Sequence, residues 1–231
     1  MIDIKDKWAL ITGASRGVGK EVAKALAQKG CNLVLHSRKT AGTEKLAKEL
    51  SATGVKVHQT EAEMADIGKV KELAQKAEEL SGGIDILFNN AAVMTAYKVE
   101  YFTTPQEDYI TSFKINTIAP ITMCNHFLPR MKERGFGRIV NVTSGIKEQP
   151  ELLPYATSKA ALDKYVYDMA PHLKGTGVMM NLLDPGWLRT DLGGPKAPNP
   201  VESVIPGALV PILLDEDISG KFYCAQDYRE D

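Results

Sequence analysis

The chain of 231 residues carries 28 Lys+Arg against 29 Asp+Glu, a formal net charge of -1. That balance lacks the basic excess needed to grip a phosphate backbone, and a hydrophobic content of 44% with both charge signs interspersed excludes a disordered chain. The length suits one domain spanning 1–231, and no nucleic-acid partner is expected. Cys31, Cys124 and Cys224 lie too far apart for metal-ligand pairing, and their odd number does not suit a disulfide framework, so the expected setting is reducing and cytoplasmic. The first residues carry charges where an export signal needs apolar ones. The longest apolar run, Val204 to Leu214, is broken by Pro206, Gly207 and Pro211, so no membrane partner is expected either.

Short runs rich in Val, Ile and Leu alternate with longer amphipathic stretches throughout, the mark of βαβ units. Trp8–Thr12 reads as the first strand. It runs directly into Thr12-Gly13-Ala14-Ser15-Arg16-Gly17-Val18-Gly19 and then a helix over Lys20–Lys29, closed by Gly30. Glycines where a strand turns into a helix let the backbone approach an anion, and the free N–H groups and positive dipole end of the helix favour it. A pyrophosphate site is therefore predicted at Gly13, Gly17 and Gly19.

Asn32–His36 is the second strand, followed by Ser37-Arg38-Lys39. A site for NAD wants an acid here to hold the ribose 2′-hydroxyl, whereas NADP wants positive charge for its 2′-phosphate. No acid follows until Glu44, and Arg38, converging with Arg16 of the glycine turn, offers planar donor forks, so NADPH is the expected cofactor. Val55–His58 is a third strand; Asp66 caps a helix running to about Leu80, where Gly82-Gly83 stops it, and Ile84–Asn89 is the fourth strand.

Thr104-Pro105-Gln106-Glu107 reads as a capping box with Pro in the first helical position, opening a long helix toward Arg134 with Asn116 inside it. The fifth strand, Arg138–Val142, ends in Thr143-Ser144-Gly145, which places Ser144 where ligands bind in open α/β sheets. Tyr155 and Lys159 share one face of a helix over Tyr155–Lys174, in which Pro171 predicts a kink or early end. Val178–Leu183 follows, and Asn199-Pro200-x-Glu202 repeats the capping logic for a helix from about Pro200 before a last strand, Lys221–Cys224. His36, His58, His126 and His172 show no metal-ligand spacing, so no metal is expected. The order predicts an α/β fold, a Rossmann-type doubly wound parallel sheet of about seven strands with helices on both faces.

Thr-Gly-x-x-x-Gly-x-Gly, Asn89-Asn90-Ala91-Ala92, Asn116, Ser144, Tyr155-x-x-Ser158-Lys159 and Pro185-Gly186-x-x-x-Thr190 resemble, in this order, the motifs of the short-chain dehydrogenase/reductase family. The wording Asp184–Pro195 resembles its carbonyl reductases, and much of the rest is similar to its 3-oxoacyl-[acyl-carrier-protein] reductases. The resemblance implies that Tyr155 is the general acid and base, Lys159 its charged partner, Ser144 the group that holds the substrate carbonyl, and Asn116 the holder of a water on a proton path to Lys159. A tyrosine titrates near ~10, and a neighbouring ammonium is expected to move that value down.

The resemblance further implies dinucleotide contacts from Gly13, Ser15, Arg16, Gly17, Val18, Gly19, Ser37, Arg38, Glu63, Met64, Asn90, Ala91, Tyr155, Lys159, Pro185, Gly186, Leu188 and Thr190. Glu63-Met64 stands where the family has Asp-Val, Ala92 where it has glycine, and the stretch from Ser144 to Tyr155 is slightly short, with Thr143 the fallback for the serine role. Residues 191–215 form a short substrate-side loop and helix, which favours a small carbonyl substrate such as a diketone or a quinone-like compound. A homo-oligomer, dimer or tetramer, is implied through the helices beginning near Thr104 and Tyr155. Two alternatives stand beside the carbonyl reductase: a 3-oxoacyl-carrier-protein reductase docking an acidic carrier on Arg130, Lys132, Arg134 and Arg138, and a regulator that senses NADPH without catalysis.

Overall fold

The structure is a computed structural model and describes residues 1–229. Seven parallel strands, β1 (Trp8–Ile11), β2 (Asn32–Ser37), β3 (Val57–Glu61), β4 (Ile86–Asn89), β5 (Gly137–Val142), β6 (Val178–Asp184) and β7 (Phe222–Cys224), form one sheet in the order β3-β2-β1-β4-β5-β6-β7. The helices are α1 (Gly17–Gln28), α2 (Glu44–Ser51), α3 (Ile67–Ser81), α4 (Gln106–Phe113), α5 (Ala119–Arg134), α6 (Leu153–Met169) and α7 (Val210–Leu213). The strand order reverses between β1 and β4, which opens a crevice at their carboxyl ends.

Alternation along the strands builds two cores. Ala9, Ile11, Leu33 and Leu35 face α1 and α7, where Val22, Leu26 and Ile212 are buried. Leu10, Val34 and Leu87 face the other way, against Val70 and Leu73 of α3, Phe127 of α5 and Val166 of α6. Both faces of the sheet are covered, which is why its strands read as near-continuous apolar runs. Among the described residues no helix is long and apolar enough to cross a membrane.

Asp66 caps α3 by accepting from the Lys69 N–H at 3.2 Å, and Gly82 ends it at φ 73°. α6 stops at Met169, where Pro171 turns the chain into a tighter 3-10 turn over Ala170–Leu173.

Three expectations need correction. β3 begins two residues later than read, at Val57, and runs on to Glu61. The Thr104 hydroxyl caps no helix: it donates to the Tyr101 carbonyl at 2.9 Å, closing the preceding turn, while Pro105 stays extended at ψ 139° and α4 starts at Gln106. No long helix follows Pro200. Prolines 206 and 211 lack the N–H a continuous helix needs, so Val201–Val204 and Gly207–Leu209 are single turns before the short α7. Asn199, the expected cap, instead accepts from Arg229 at 2.9 Å.

Candidate active site

The site is built around the carboxyl edge of β1, β4, β5 and β6. At β1, the Thr12 hydroxyl accepts the N–H groups of Asn90 and Ala91 at 2.9 and 3.0 Å, and the Asn90 amide donates to the carbonyls of Thr12 and Gly13 at 2.9 and 3.1 Å. This knot leaves no room for side chains. A Cβ on Gly19 would lie 2.5 Å from the Gly13 carbonyl oxygen and 2.6 Å from the Asn90 amide, and Gly13 adopts φ +67°. Gly13 donates its N–H to His36 Nδ1 at 3.2 Å, so His36 carries its proton on Nε2, facing the Ala62 carbonyl at 3.1 Å, and burial lowers its proton affinity. His36 is thus a satisfied structural histidine.

α1 starts from an extended Arg16 with no side-chain cap, so its first-turn N–H groups point to the crevice without a protein side chain to satisfy them. Ser15 and Ser37 approach each other across Gly42, and the Ser37 hydroxyl donates to the Lys39 carbonyl at 2.6 Å, folding back the loop that bears the exposed Arg38. The expected convergence of Arg16 on Arg38 is replaced by an ion pair: Arg16 reaches Asp191, on the opposite lip, at 2.6 Å. β3 brings Glu61 into register with Ser37, and its carboxylate accepts the Thr40 N–H at 2.8 Å. The linear sequence shows no acid there because this one arrives from a neighbouring strand.

Glu63 is exposed, whereas the side chains of Met64 and Leu188 are in the cores, leaving their backbone to face a ligand; Val18 packs partly against the core. On the far lip, Asp184 accepts the N–H groups of Gly186 at 2.9 Å and Gly145 at 3.1 Å, tying β6 to β5, and Gln226 donates to the Pro185 carbonyl at 2.9 Å. The lips meet where a Cβ on Gly17 would come within 3.6 Å of the Thr190 methyl.

Tyr155 and Lys159 are both buried on α6, with Ser144 beside the phenol. Lys159 donates to the Val142 carbonyl at 2.7 Å, and its ammonium nitrogen lies 5.8 Å from the Tyr155 ring centre. Burial pushes the phenol up to about 12 against the Ser144 hydrogen bond, with Asp184 and Asp163 adding to the rise. Burial likewise pushes Lys159 down to about 8, opposed by Asp163. The expected lowering of the phenol by the ammonium does not appear within the chain itself, where burial is the leading influence on the phenol and raises it.

Asn116 sits in a π turn, Lys114–Ile118, between α4 and α5. Its side chain accepts the Val93 N–H at 2.9 Å and donates to the Val93 carbonyl at 2.8 Å and to the Ser158 hydroxyl at 3.0 Å. The amide is therefore fully used as a clamp. A π turn in the middle of a long helix commonly marks a functional position, and this one aims Asn116 inward. Thr12, Glu61, Asp163 and Asp184 were not singled out from the sequence; only Thr12, as the last residue before the glycine turn, carried a local signal.

Arg130 pairs with Glu78, Arg134 donates to the Ile84 carbonyl at 2.5 Å, and Arg138 is 4% exposed. Of the four residues expected to form a basic dock, these three are engaged or buried, while Lys132, on α5 beside them, is exposed. Among the described residues no three His, Cys, Asp or Glu side chains group to hold a metal ion.

Sheet order, switch point and glycine turn together define a Rossmann-type, dinucleotide-binding oxidoreductase. The chain belongs to the short chain dehydrogenase family, whose model matches residues 7–200. It is 34% identical over 188 residues to the uncharacterized oxidoreductase YvrD of Bacillus subtilis, covering 80% of this chain and 70% of that one. To the ketoacyl reductase HetN of a Nostoc species it is 33% identical over 190 residues, covering 81% and 66%. A Burkholderia cenocepacia short chain dehydrogenase, solved in complex with NADP, superposes with a TM-score of 0.85 at 25% identity over 96% of this chain and 97% of that one.

Proposed function

We propose that the protein is a reversible NADPH-dependent reductase of ketone or aldehyde carbonyls, with Tyr155 as general acid in reduction and general base in oxidation. The observation that carries this reading is the gathering of Ser144, Tyr155 and Lys159 at one sheet edge, the tyrosine and lysine buried and the serine half-buried, beside a glycine cradle that a single Cβ would fill. That cradle and the uncapped start of α1 fit a dinucleotide, which when bound supplies the hydride.

The residues divide the remaining work. The phenol keeps its proton at neutral pH, the form that can donate to a carbonyl oxygen gaining negative charge. Ser144, next to it, holds that oxygen in place. Lys159 has three N–H donors and spends one on Val142, leaving two to hold the dinucleotide ribose while its charge stabilises the phenolate left behind. With its side chain committed to Val93 and Ser158, Asn116 has only its main-chain carbonyl to hold a water leading to Lys159.

Arg38 supports NADPH over NADH, the 2′-phosphate being its partner. Exposed apolar side chains on the α4–α5 and α6 faces, Ile118 and Tyr167 among them, support assembly into a dimer or tetramer. The single-domain organisation, 1–231, belongs to the same reading. An acyl-carrier partner is supported by likeness to a ketoacyl reductase, but three of the four basic residues that would dock it are engaged or buried within the chain.

The test is NADPH oxidation against small diketones, aromatic aldehydes, quinones and 3-oxoacyl thioesters, with NADH as the comparison. Turnover preferring NADPH is expected, strongest on a small carbonyl. Tight NADPH binding with no carbonyl consumed would replace this reading with the regulatory one.

A further inference from the structure

One titratable side chain at the site has no part in this chemistry. Asp163 follows Lys159 by four residues on α6, so the two share a helix face. One carboxyl oxygen of Asp163 is buried without a hydrogen-bond partner, and so is the hydroxyl of Thr143, the residue directly after the carbonyl that holds Lys159. These two orphaned groups are neighbours: burial raises the proton affinity of Asp163 and the Thr143 hydroxyl opposes that rise, though the pair falls short of an aligned hydrogen bond. Thr143 is 1% exposed, so its hydroxyl meets this carboxylate away from bulk water.

Lys159 is 3% exposed, accepts no carboxylate within ion-pair distance among the described residues, and spends one N–H on a neutral carbonyl. A buried ammonium without a counter-charge is costly. The charged and titratable groups around Asp163 are few: Lys159, Tyr155 and Tyr167 on its own helix, Thr143 on the β5 end, and Asp184 on β6. Asp184 is already engaged, one oxygen on Gly145 and the other on Gly186. Asp163 alone has a carboxylate oxygen to spare.

We infer that Asp163, seated beside Thr143, is a positioning residue for the reaction: its carboxylate is the counter-charge that keeps the buried Lys159 ammonium in place, and through Lys159 it sets the pH range in which Tyr155 works. The inference rests on the reading of Tyr155 and Lys159 given under Proposed function. Its sign is fixed by electrostatics. Removing one negative charge lowers the proton affinity of every neighbour, so Lys159 and Tyr155 must both shift the same way, downward.

The experiment is a set of pH–rate profiles, for carbonyl reduction and for alcohol oxidation, on the dinucleotide-bound wild type, Asp163→Asn, Asp163→Ser and Asp163→Glu. Both neutral variants should move the midpoints of both profiles to lower pH by about half to one unit, and Asp163→Glu should restore the wild-type midpoints. A loss of kcat with unmoved midpoints, or neutral variants that disagree with each other, overturns the inference and leaves Asp163 a packing residue. Phenolate absorbance against pH, taken as the difference from Tyr155→Phe in each background, gives the same answer without turnover. If no carbonyl is reduced, the functional reading fails, yet an unmoved Tyr155 step in Asp163→Asn still refutes the role of Asp163 and a lowered step upholds it.

Discussion

The two halves of the crevice are made by opposite means. On the β1–β3 side the polar groups at the rim are spent inside the protein: Thr12 on two N–H groups, His36 on Gly13 and Ala62, Ser37 on Lys39. On the β4–β7 side Asn116 and Asp184 are spent too, but other groups are not. Every buried side-chain nitrogen or oxygen found without a partner among the described residues lies at or beyond Asn89, and Thr143 and Asp163 are among them. The first half holds a shape that backbone and glycine define; the second holds chemical groups away from water, where their proton affinities move. A rim that grips a constant ligand can be fully satisfied, whereas one that transfers a proton must keep groups poised.

The sharpest way to break this division is to remove chemistry from the second half alone. Tyr155→Phe deletes one oxygen from a buried ring, so turnover should fall about 10²- to 10⁴-fold while the melting temperature and dinucleotide affinity hold. A loss of affinity of the same size would show that the two halves are not separable. The reciprocal change is Gly19→Ala. Its Cβ would strike the Gly13 carbonyl, which is backbone, and the Asn90 side-chain amide, which is held by its hydrogen bonds to the Thr12 and Gly13 carbonyls, and should cost about 1–3 kcal/mol of stability along with most dinucleotide binding, measured by thermal unfolding and by titration with NADPH.

A smaller effect separates the two dinucleotides. Arg38→Ala should weaken NADPH about tenfold and leave NADH unchanged, because only the former carries a 2′-phosphate for the guanidinium. Glu61 sharpens this: it lies in register beside Ser37, so Glu61→Gln should improve NADPH relative to NADH by a few-fold, as a carboxylate beside a phosphate repels it. Equal changes for both cofactors would place the adenine ribose elsewhere.

How much of this was readable in the sequence follows the same division. The inner strands are visible as apolar runs because both sheet faces are covered there, whereas the edge strand β3, Val-His-Gln-Thr-Glu and only half-buried, reads two residues early; the glycine turn, the Asp66 cap and the Pro171 break each depend on residues within a few positions. Thr104 misled for a local reason, closing the turn before the helix instead of capping it, and Asn199 for a distant one, its side chain accepting from Arg229. What stayed hidden was set by register. Glu61 reaches Ser37 only through the β2–β3 pairing, Asp184 joins two glycines 39 and two positions away, and Thr143 meets Asp163 only when α6 packs on the end of β5. The effect of burial on Tyr155 and Lys159 was hidden too, since desolvation is a property of the packed site and not of the motif.

The ion pair across the mouth tests whether the halves act independently. Arg16 on the glycine turn and Asp191 on the post-β6 loop form an ion pair across the mouth, close to where Gly17 and Thr190 approach each other. Their side chains are 65% and 70% exposed, so the pair belongs to the weak, salt-screened class. In the proposed reading a dinucleotide lies beneath this pair and leaves by parting the two lips. Asp191→Asn should therefore speed NADPH release by about two- to fivefold, as read by stopped-flow fluorescence, and should do the same for NADH, because the clasp acts on the shared pyrophosphate side. Added salt should speed release from the wild type and leave the variant's rate unchanged. A slower release in Asp191→Asn, confined to NADPH, would instead show Asp191 competing with phosphate for Arg16, and would return Arg16 to the role beside Arg38 that its position in the glycine turn first suggested.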